Sequence, residues 1–241
     1  TLWEPKNDTH EVTDFCSVAS MDVPECFWLS RSKQKLDVLE LFAGEGMFSY
    51  CCSQLGLETG SPIDIKTGYD LNSWEGQQLA WKVIREGNPE VILMAVVCTP
   101  WSNIQNINDR IKVLRDRKKV MPMVRFCAEV ARHQAARGRK FIIENPETSH
   151  IWKTQEFKGL SQLEGVTWDT TDFCRHGMWD PVSGLPYKKS VCLMHNFEKG
   201  SLDPVFLRCQ NGSHHTHEKH EKVEGYCAGY GRRITLTQVY P

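Results

Sequence analysis

The sequence predicts an α/β fold in which a mostly parallel central sheet is flanked by helices. From Leu36 onward, short apolar runs alternate with longer stretches of helical spacing, which is typical of successive strand–helix–strand units. The predicted strands are Leu36–Phe42, Val91–Val97, Phe141–Ile143, Val166–Phe173 and Ser190–Met194. The predicted helices are Met47–Leu55, Ser73–Glu86 and Met121–Arg137, and Gly138 follows the last of them where a cap belongs.

The chain divides into three regions around one core, since 241 residues suffice for one well-buried domain and an appendage. Residues 1–35 lack clear periodicity and are interpreted as an irregular lead-in packed on the core. Residues 36–196 form the main domain, and residues 197–241 form a His- and Cys-rich appendage of the same globule. The chain begins at Thr1 and neither end reads as a targeting peptide, so we expect it to be part of a longer polypeptide.

Composition excludes several classes of protein. The chain is 40% hydrophobic, and no apolar run approaches the roughly 18 residues of a membrane helix, so we expect no membrane partner. The net charge of -1 means that any nucleic-acid binding must use a local basic patch. Several of the ten cysteines lie in apolar runs, which favours a reducing intracellular compartment, nuclear or cytoplasmic, over a secreted disulfide scaffold.

A glycine-containing turn follows the first predicted strand and opens the first predicted helix. It includes Gly44 and Gly46, which would let the backbone approach a ligand closely beside the free N–H groups of the helix N-terminus. Asp64 lies near the ~20-residue distance at which a carboxylate binds a ribose in such folds. The alternative interpretation is a tight turn without a ligand.

Two further predicted strands end in polar, chemically competent residues. Cys98 follows the run Val91–Val97 and leads into Thr-Pro-Trp-Ser, which ends at Ser102. Glu144 and Asn145 follow the run Phe141–Ile143. A thiol at a strand end is a candidate nucleophile if its surroundings ionise it. The alternative for each string alone is a buried thiol or a capping carboxylate.

Together these three strings resemble motifs of the cytosine-5 methyltransferase family, in the family's order. The resemblance covers about Leu36 to Met194 and implies a Rossmann-like fold that binds S-adenosylmethionine. Glu40, Phe42, Gly44 and Gly46 match the first motif. The implied cofactor contacts are Phe42 and the two glycines around the pocket, Asp64 at the ribose hydroxyls, and Asp70 near the adenine.

The resemblance also implies roles at the chemical end of the site. Carbon 5 of cytosine is a poor nucleophile, so Cys98 would first add to carbon 6 and make the ring electron-rich. Glu144 would hydrogen-bond the ring nitrogen and exocyclic amine, Asn145 would brace the loop that carries Cys98, and Ser102 would complete the cysteine motif. The implied activity is cytosine carbon-5 methylation of nucleic acid, with DNA favoured over RNA.

The sequence departs from the family at identifiable places. Val96 and Val97 stand where the family has Pro-Pro or Gly-Pro before the cysteine, and the target-recognition region is reduced to about the last 45 residues. The family's C-terminal cofactor-binding helix has no evident counterpart unless residues 1–35 replace it. Two alternatives therefore stay open: a catalytically inactive relative that binds cofactor or nucleic acid, and a methyltransferase for another acceptor in which Cys98 is only structural.

Basic residues supply a candidate surface for nucleic acid. Six of them follow the Cys98 motif within ten positions: Arg110, Lys112, Arg115, Arg117, Lys118 and Lys119. Lys188 and Lys189 stand where the family carries a Gln-x-Arg-x-Arg segment, and are candidates for contacts to phosphate or cofactor. A solvated helix face and a solvated turn are the alternative interpretations of the two groups.

The His- and Cys-rich tail suggests one structural zinc ion. Thiolate and neutral imidazole are good zinc ligands, and a tetrahedral structural site needs four of them. The candidate ligands are Cys174, Cys209, His215 and His217, although their spacing matches no standard zinc finger. The alternative is a polar loop with partly exposed histidines.

Overall fold

The computed structural model describes residues 35–210, 219–223, 226–227, 229 and 231–232. It confirms an α/β architecture with a five-stranded sheet and flanking helices. The strands of this sheet are β1 (Val38–Leu41), β2 (Val91–Ala95), β3 (Lys140–Pro146), β4 (Thr167–Asp172) and β5 (Ser190–His195). The helices are α1 (Met47–Gln54), α2 (Trp74–Gly87), α3 (Arg110–Ala135) and α4 (Gln155–Leu160). A separate two-stranded ribbon joins β6 (Tyr226–Cys227) to β7 (Gly231–Arg232).

The sheet is mixed: β1, β2, β3 and β4 run in one direction, in line with the prediction of a mostly parallel sheet, and β5 runs against them. Its strand order is β1-β2-β3-β5-β4, with β1, β2 and β3 paired in parallel and β5 antiparallel to both of its neighbours. Apolar alternation identifies strands but carries no information on their direction. The late insertion of β5 between β3 and β4 therefore could not be read from the sequence.

Apolar residues of β1, β2 and β3 belong to one hydrophobic core cluster. Leu39 and Leu41 of β1 and Phe141 and Ile143 of β3 are completely buried, as expected for strands covered on both sides by helices. β4 contrasts with them, because its first three residues are exposed. β4 is thus an edge strand, and the core lies under β1, β2, β3 and β5.

Helix α3 begins eleven residues earlier than predicted. Asp109 is its N-cap, with the Oδ1 atom accepting a hydrogen bond from the Lys112 backbone N–H at 3.0 Å. Its first three turns carry the basic residues on a solvated face, and within Arg110–Lys119 only Val113 is buried. A solvated first half hides the apolar periodicity that predicts a helix.

No helix among the described residues is long and apolar enough to cross a membrane.

The order in which the chain adds segments to the sheet reverses at β1: the segment after α1 lies on one side of β1, and β2 lies on the other. Residues 58–63 run beside the outer edge of β1, with the Ile63 N–H donating to the Glu40 carbonyl at 2.9 Å. The chain then crosses through α2 to β2 on the other side of β1. Such a reversal opens a crevice at the carboxyl ends of the strands, which is where open α/β sheets bind their ligands.

Candidate functional site

The loops that follow β1, β2 and β3 meet at one edge of the sheet, because the three strands are parallel neighbours. The first loop carries Gly44 and the second carries Cys98. The last residues of β3 include Glu144 and Asn145. The three predicted motifs therefore share one edge, beside the reversal at β1.

The loop after β1 has a backbone that few side chains tolerate. Phe42, Gly44 and Gly46 have φ of 57°, 58° and 68°, in the left-handed region that favours glycine. A Cβ atom built on Gly44 would meet no other atom within 4 Å, so the space in front of this residue is open. Phe42 is half-buried against the core. The loop thus offers an open, backbone-lined surface at the crevice.

Glu40 braces this loop from within the core. It is completely buried, and its Oε2 atom accepts hydrogen bonds from the Ser49 N–H at 2.9 Å and the Ser49 hydroxyl at 2.8 Å. Since Gly46 has no side chain to cap α1, the carboxylate fills that role from β1. Burial raises the pKa of Glu40 to about 7, although the two hydrogen bonds oppose the rise. Glu40 is therefore a positioning residue of the glycine loop.

Asp64 is attached directly to the glycine loop, whereas Asp70 belongs to its own turn. The Asp64 Oδ2 atom accepts the Gly44 N–H at 3.0 Å, and its Oδ1 atom accepts the Lys66 N–H at 3.0 Å. Asp70 is exposed and accepts the Asn72 N–H at 3.0 Å. A Cβ atom on Gly76 would lie 2.1 Å from the Asp70 carbonyl oxygen. Gly76 is thus required where α2 begins, a constraint that sequence reasoning missed.

Cys98 lies just beyond the end of β2, and charged groups from two other elements act on it. The thiol is half-buried, and burial raises its pKa. The carboxylate of Glu144 raises this pKa further, and the ammonium group of Lys189 lowers it. Glu144 is itself buried at the end of β3. A thiol, a carboxylate and an ammonium group therefore converge at this edge.

Asn145 ties the end of β3 to the backbone that carries Cys98. Its side-chain Nδ2 donates to the Val96 carbonyl oxygen at 2.6 Å, and both residues are buried. Ser102 caps the short 3-10 helix Asn103–Ile107, because its hydroxyl accepts the Ile104 N–H at 3.3 Å. Ser102 thus shapes the loop after the cysteine.

No protein-family model matches this chain, and no curated protein matches it either.

The basic residues of α3 do not form one uniform group. Arg117 is half-buried: its Nε donates to the Pro100 carbonyl oxygen at 3.0 Å, and its guanidinium lies 5.5 Å from the centroid of the buried Trp101 ring. Arg117 therefore fastens α3 to the loop that follows Cys98. The remaining five are exposed to solvent: Arg110, Lys112, Arg115, Lys118 and Lys119. Among them, the Lys119 ammonium group lies 3.8 Å from a carboxylate oxygen of Asp116.

Lys188 and Lys189 act on different thiols. The Lys189 Nζ lies 4.9 Å from the centroid of the Phe173 ring and lowers the pKa of Cys98. Lys188 lowers the pKa of Cys174 instead. The role of Lys189 beside the candidate nucleophile was missed from the sequence, where the two lysines were interpreted together as contacts to phosphate or cofactor.

Cys174 and Cys209 come together as the zinc prediction required, but their described neighbour is His220. The sulfur atoms and one imidazole nitrogen lie within 4.8 Å of one another. Burial raises the pKa of Cys174 to about 12, and the adjacent Cys209 contributes to the rise. His215 and His217 lie outside the described residues.

Proposed function

We propose that this protein is a nucleic-acid methyltransferase that uses S-adenosylmethionine and methylates carbon 5 of cytosine, with DNA favoured over RNA. The observation that carries the proposal is the meeting of Cys98, Glu144 and the glycine loop at the carboxyl ends of three neighbouring parallel strands. These are the groups that the resemblance to cytosine-5 methyltransferases assigns to the nucleophile, its partner carboxylate and the cofactor loop.

The glycine loop fits a cofactor with a ribose and an adenine. The open space at Gly44 allows a ligand to approach the backbone closely. Asp64 places a half-buried carboxylate against Gly44, at a suitable position for ribose hydroxyls. Phe42 adds an aromatic ring to the same loop. S-adenosylmethionine held by this loop would supply the methyl group for carbon 5 of a cytosine that is bound at the neighbouring Cys98 loop.

Cys98 would start the reaction by nucleophilic addition. Its sulfur forms a bond to carbon 6 of a cytosine that has left its base stack, and the electron pair of the 5,6 double bond moves toward carbon 5. Carbon 5 would then form a bond to the methyl group of S-adenosylmethionine as the bond from that group to the sulfonium sulfur breaks, which leaves S-adenosylhomocysteine. Transfer of the carbon-5 proton to water would restore the double bond and break the sulfur–carbon bond, which frees Cys98 as a thiolate.

The neighbours of Cys98 account for the groups that this reaction needs. Glu144 would share a proton with the ring nitrogen as negative charge develops on the ring. The Lys189 ammonium group favours the thiolate over the thiol, because it lowers the Cys98 pKa. Asn145 holds the Cys98 segment through Val96, which replaces part of the rigidity that a proline would supply.

The exposed basic residues of α3 supply a surface for the phosphates. They lie on the helix that follows the Cys98 loop, and Arg117 fastens the two together. A cavity of about 380 Å³ opens beside them, between residues that include Asn106, Arg110 and Arg117. Phosphate contacts of this kind position a strand without reading its sequence.

A catalytically inactive cofactor- or nucleic-acid-binding module is the second candidate function. It is favoured by the raised pKa of Cys98, because a thiol that stays protonated is a weak nucleophile. Val96 and Val97, where the family has proline, point in the same direction. Both candidates share the cofactor loop and the basic surface and differ only in chemistry.

Transfer of a tritiated methyl group separates these candidates. The full chain is incubated with methyl-labelled S-adenosylmethionine and matched DNA and RNA oligonucleotides that contain either cytosine or 5-methylcytosine. We expect label in cytosine-containing DNA and none where every carbon 5 is already methylated. Equal labelling of both would show another acceptor atom, and cofactor binding without any labelling would support the inactive module.

A further inference from the structure

A cluster of three side chains that can bind a metal lies beside the end of β4, in segments that do not include the glycine loop. It consists of Cys174, Cys209 and His220, with Cys209 Sγ lying 3.3 Å from His220 Nε2. Both cysteines are buried and the histidine is half-buried. Within the described part of the chain, no other three His, Cys or acidic side chains have their ligand atoms so close together.

The three residues come from separate segments, and backbone contacts fix each segment. Cys174 belongs to the short 3-10 helix Phe173–His176, directly after β4. The Cys209 N–H donates to the Asp172 Oδ2 atom at 2.6 Å, next to that helix. Glu221, which follows His220, donates its N–H to the Pro186 carbonyl oxygen at 3.0 Å. The cluster is therefore held together by the fold.

We propose that Cys174, Cys209 and His220 bind one zinc ion. Zinc–sulfur bonds of about 2.3 Å and zinc–nitrogen bonds of about 2.0 Å place the ligand atoms of a tetrahedral site roughly 3.5–3.8 Å apart, close to the separations in this cluster. Two thiolates and an imidazole suit zinc better than magnesium or calcium, which prefer oxygen ligands. Binding releases the two thiol protons, and the two thiolates balance the charge of the ion. The fourth position of the tetrahedron is left to water or another side chain.

The ion would fasten the tail to the segment that carries Lys189. Phe173, the residue before Cys174, donates its N–H to the Lys189 carbonyl oxygen at 2.9 Å and holds the Lys189 ammonium group over its ring. Tyr187 and Glu221 form an isolated parallel β-bridge, which joins the same segment to the residue that follows His220. The metal site thus stabilises the position of Lys189 near Cys98. This last step rests on the proposed function, whereas metal binding itself does not.

The ligand set can be read on the unmodified full chain. Elemental analysis of freshly purified protein should find about one zinc per chain. X-ray absorption at the zinc edge should find two sulfur ligands and at least one imidazole nitrogen. Absence of zinc from the purified chain, together with failure of the zinc-free chain to take up added Zn²⁺, would overturn the proposal, as would a zinc site without sulfur.

Variants assign the ligands and separate this proposal from the proposed function. Cys174→Ser and Cys209→Ser should lose the bound zinc. In His220→Gln, X-ray absorption should find fewer nitrogen ligands on the zinc ion. Cys192→Ser, a buried thiol of β5 outside the cluster, is the matched control and should keep the ion. Full zinc occupancy in Cys174→Ser and Cys209→Ser would contradict the assignment. None of these measurements uses cofactor or nucleic acid, so they stand even if methyl transfer is never observed.

Discussion

Two halves of the sheet contribute different parts of the candidate site. In the parallel half, β1 to β3, neighbouring strands pair in parallel, and in the antiparallel half, β5 and β4, they pair antiparallel. The parallel half ends in the glycine loop, Cys98 and Glu144, which would contact cofactor and base. The antiparallel half delivers Lys189 and the Cys174–Cys209–His220 cluster. In the proposed function, the first half carries the groups for binding and bond formation. The second adjusts the charge around the thiol.

Two buried carboxylates of the parallel half show that burial alone does not identify a catalytic acid. Glu40 is enclosed and its contacts are with Ser49, whereas Glu144 acts electrostatically on Cys98. Both carboxylates lie near the carboxyl ends of their strands, β1 and β3, which flank β2 on either side. Their difference comes from what faces them: a helix N-terminus in one case and a thiol in the other. Only Glu144 is expected to affect the chemistry directly.

The largest effect is expected from Glu144→Gln. A neutral amide cannot share a proton with the ring nitrogen, so methyl transfer should fall by roughly 10²–10⁴-fold, the usual contribution of a general acid. The fold and the cofactor affinity should be retained. Glu147→Gln, an exposed carboxylate just beyond β3, is the matched control. Methyl transfer at the parental rate in Glu144→Gln would remove Glu144 from the mechanism.

The next effect concerns Glu40 and the pH dependence of stability. Its pKa is about 7 in the folded chain and near 4.5 in the unfolded chain, so its contribution is fully present below pH 4.5 and is lost as the pH rises through 7. Glu40→Gln keeps an acceptor for Ser49 and lacks this loss. It should therefore gain stability over the parent between pH 5 and pH 8, by up to about 3 kcal/mol.

Urea unfolding of parent and Glu40→Gln at both pH values measures this gain. Glu86→Gln, on the exposed face of α2, serves as the control for loss of a surface carboxylate. A stability difference between parent and Glu40→Gln that stays constant from pH 5 to pH 8 would show that Glu40 is already ionised in the folded protein.

Gly44→Ala tests the cofactor loop against a matched glycine. Gly44 and Gly56 both have positive φ and open space around the missing Cβ, so alanine costs each about 1–2 kcal/mol of backbone strain. Only Gly44 lies at the crevice. Calorimetry should show S-adenosylmethionine affinity reduced by about tenfold or more in Gly44→Ala, equivalent to about 1.4 kcal/mol, and unchanged in Gly56→Ala. Equal affinities in both variants would move the cofactor away from this loop.

The smallest effect concerns the link between the two halves of the sheet. Lys189→Gln removes the charge that lowers the Cys98 pKa, so alkylation of Cys98 at pH 7.5 should slow, whereas Glu144→Gln should speed it. The alkylation rate follows the fraction of Cys98 that is present as thiolate, so the change in rate measures the influence of each charge on the thiol. Peptide mass spectrometry would report Cys98 separately from the exposed Cys51.

Lys188→Gln is the control for this comparison, because Lys188 lowers the pKa of Cys174, a different thiol. If Cys98 is alkylated at the same rate in Lys189→Gln and in Lys188→Gln, the Lys189 ammonium group has no electrostatic influence on the nucleophile.

Sequence reasoning was most successful in the parallel half, for a physical reason. Parallel strands present their carboxyl ends at one edge, so polar residues after apolar runs, such as Cys98 and Glu144, are brought together whatever the loop details. The position of Lys189 depended on β5 entering the sheet antiparallel between β3 and β4, which alternation does not reveal. His220 lies beside the Cys174–Cys209 pair because its neighbour Glu221 forms a long-range bridge to Tyr187, which the spacing of the histidines in the sequence does not reveal.

The central claim is that Cys98 attacks carbon 6 of cytosine, and covalent trapping tests it most directly. An oligonucleotide with 5-fluorocytosine cannot lose a proton from carbon 5, so an active chain stays joined to it when S-adenosylmethionine is present. We predict a stable adduct with the parent and with Cys51→Ser, which changes an exposed thiol of α1, and none with Cys98→Ser, whose cofactor affinity should be nearly unchanged. Methylation of cytosine by Cys98→Ser at the parental rate would contradict the account.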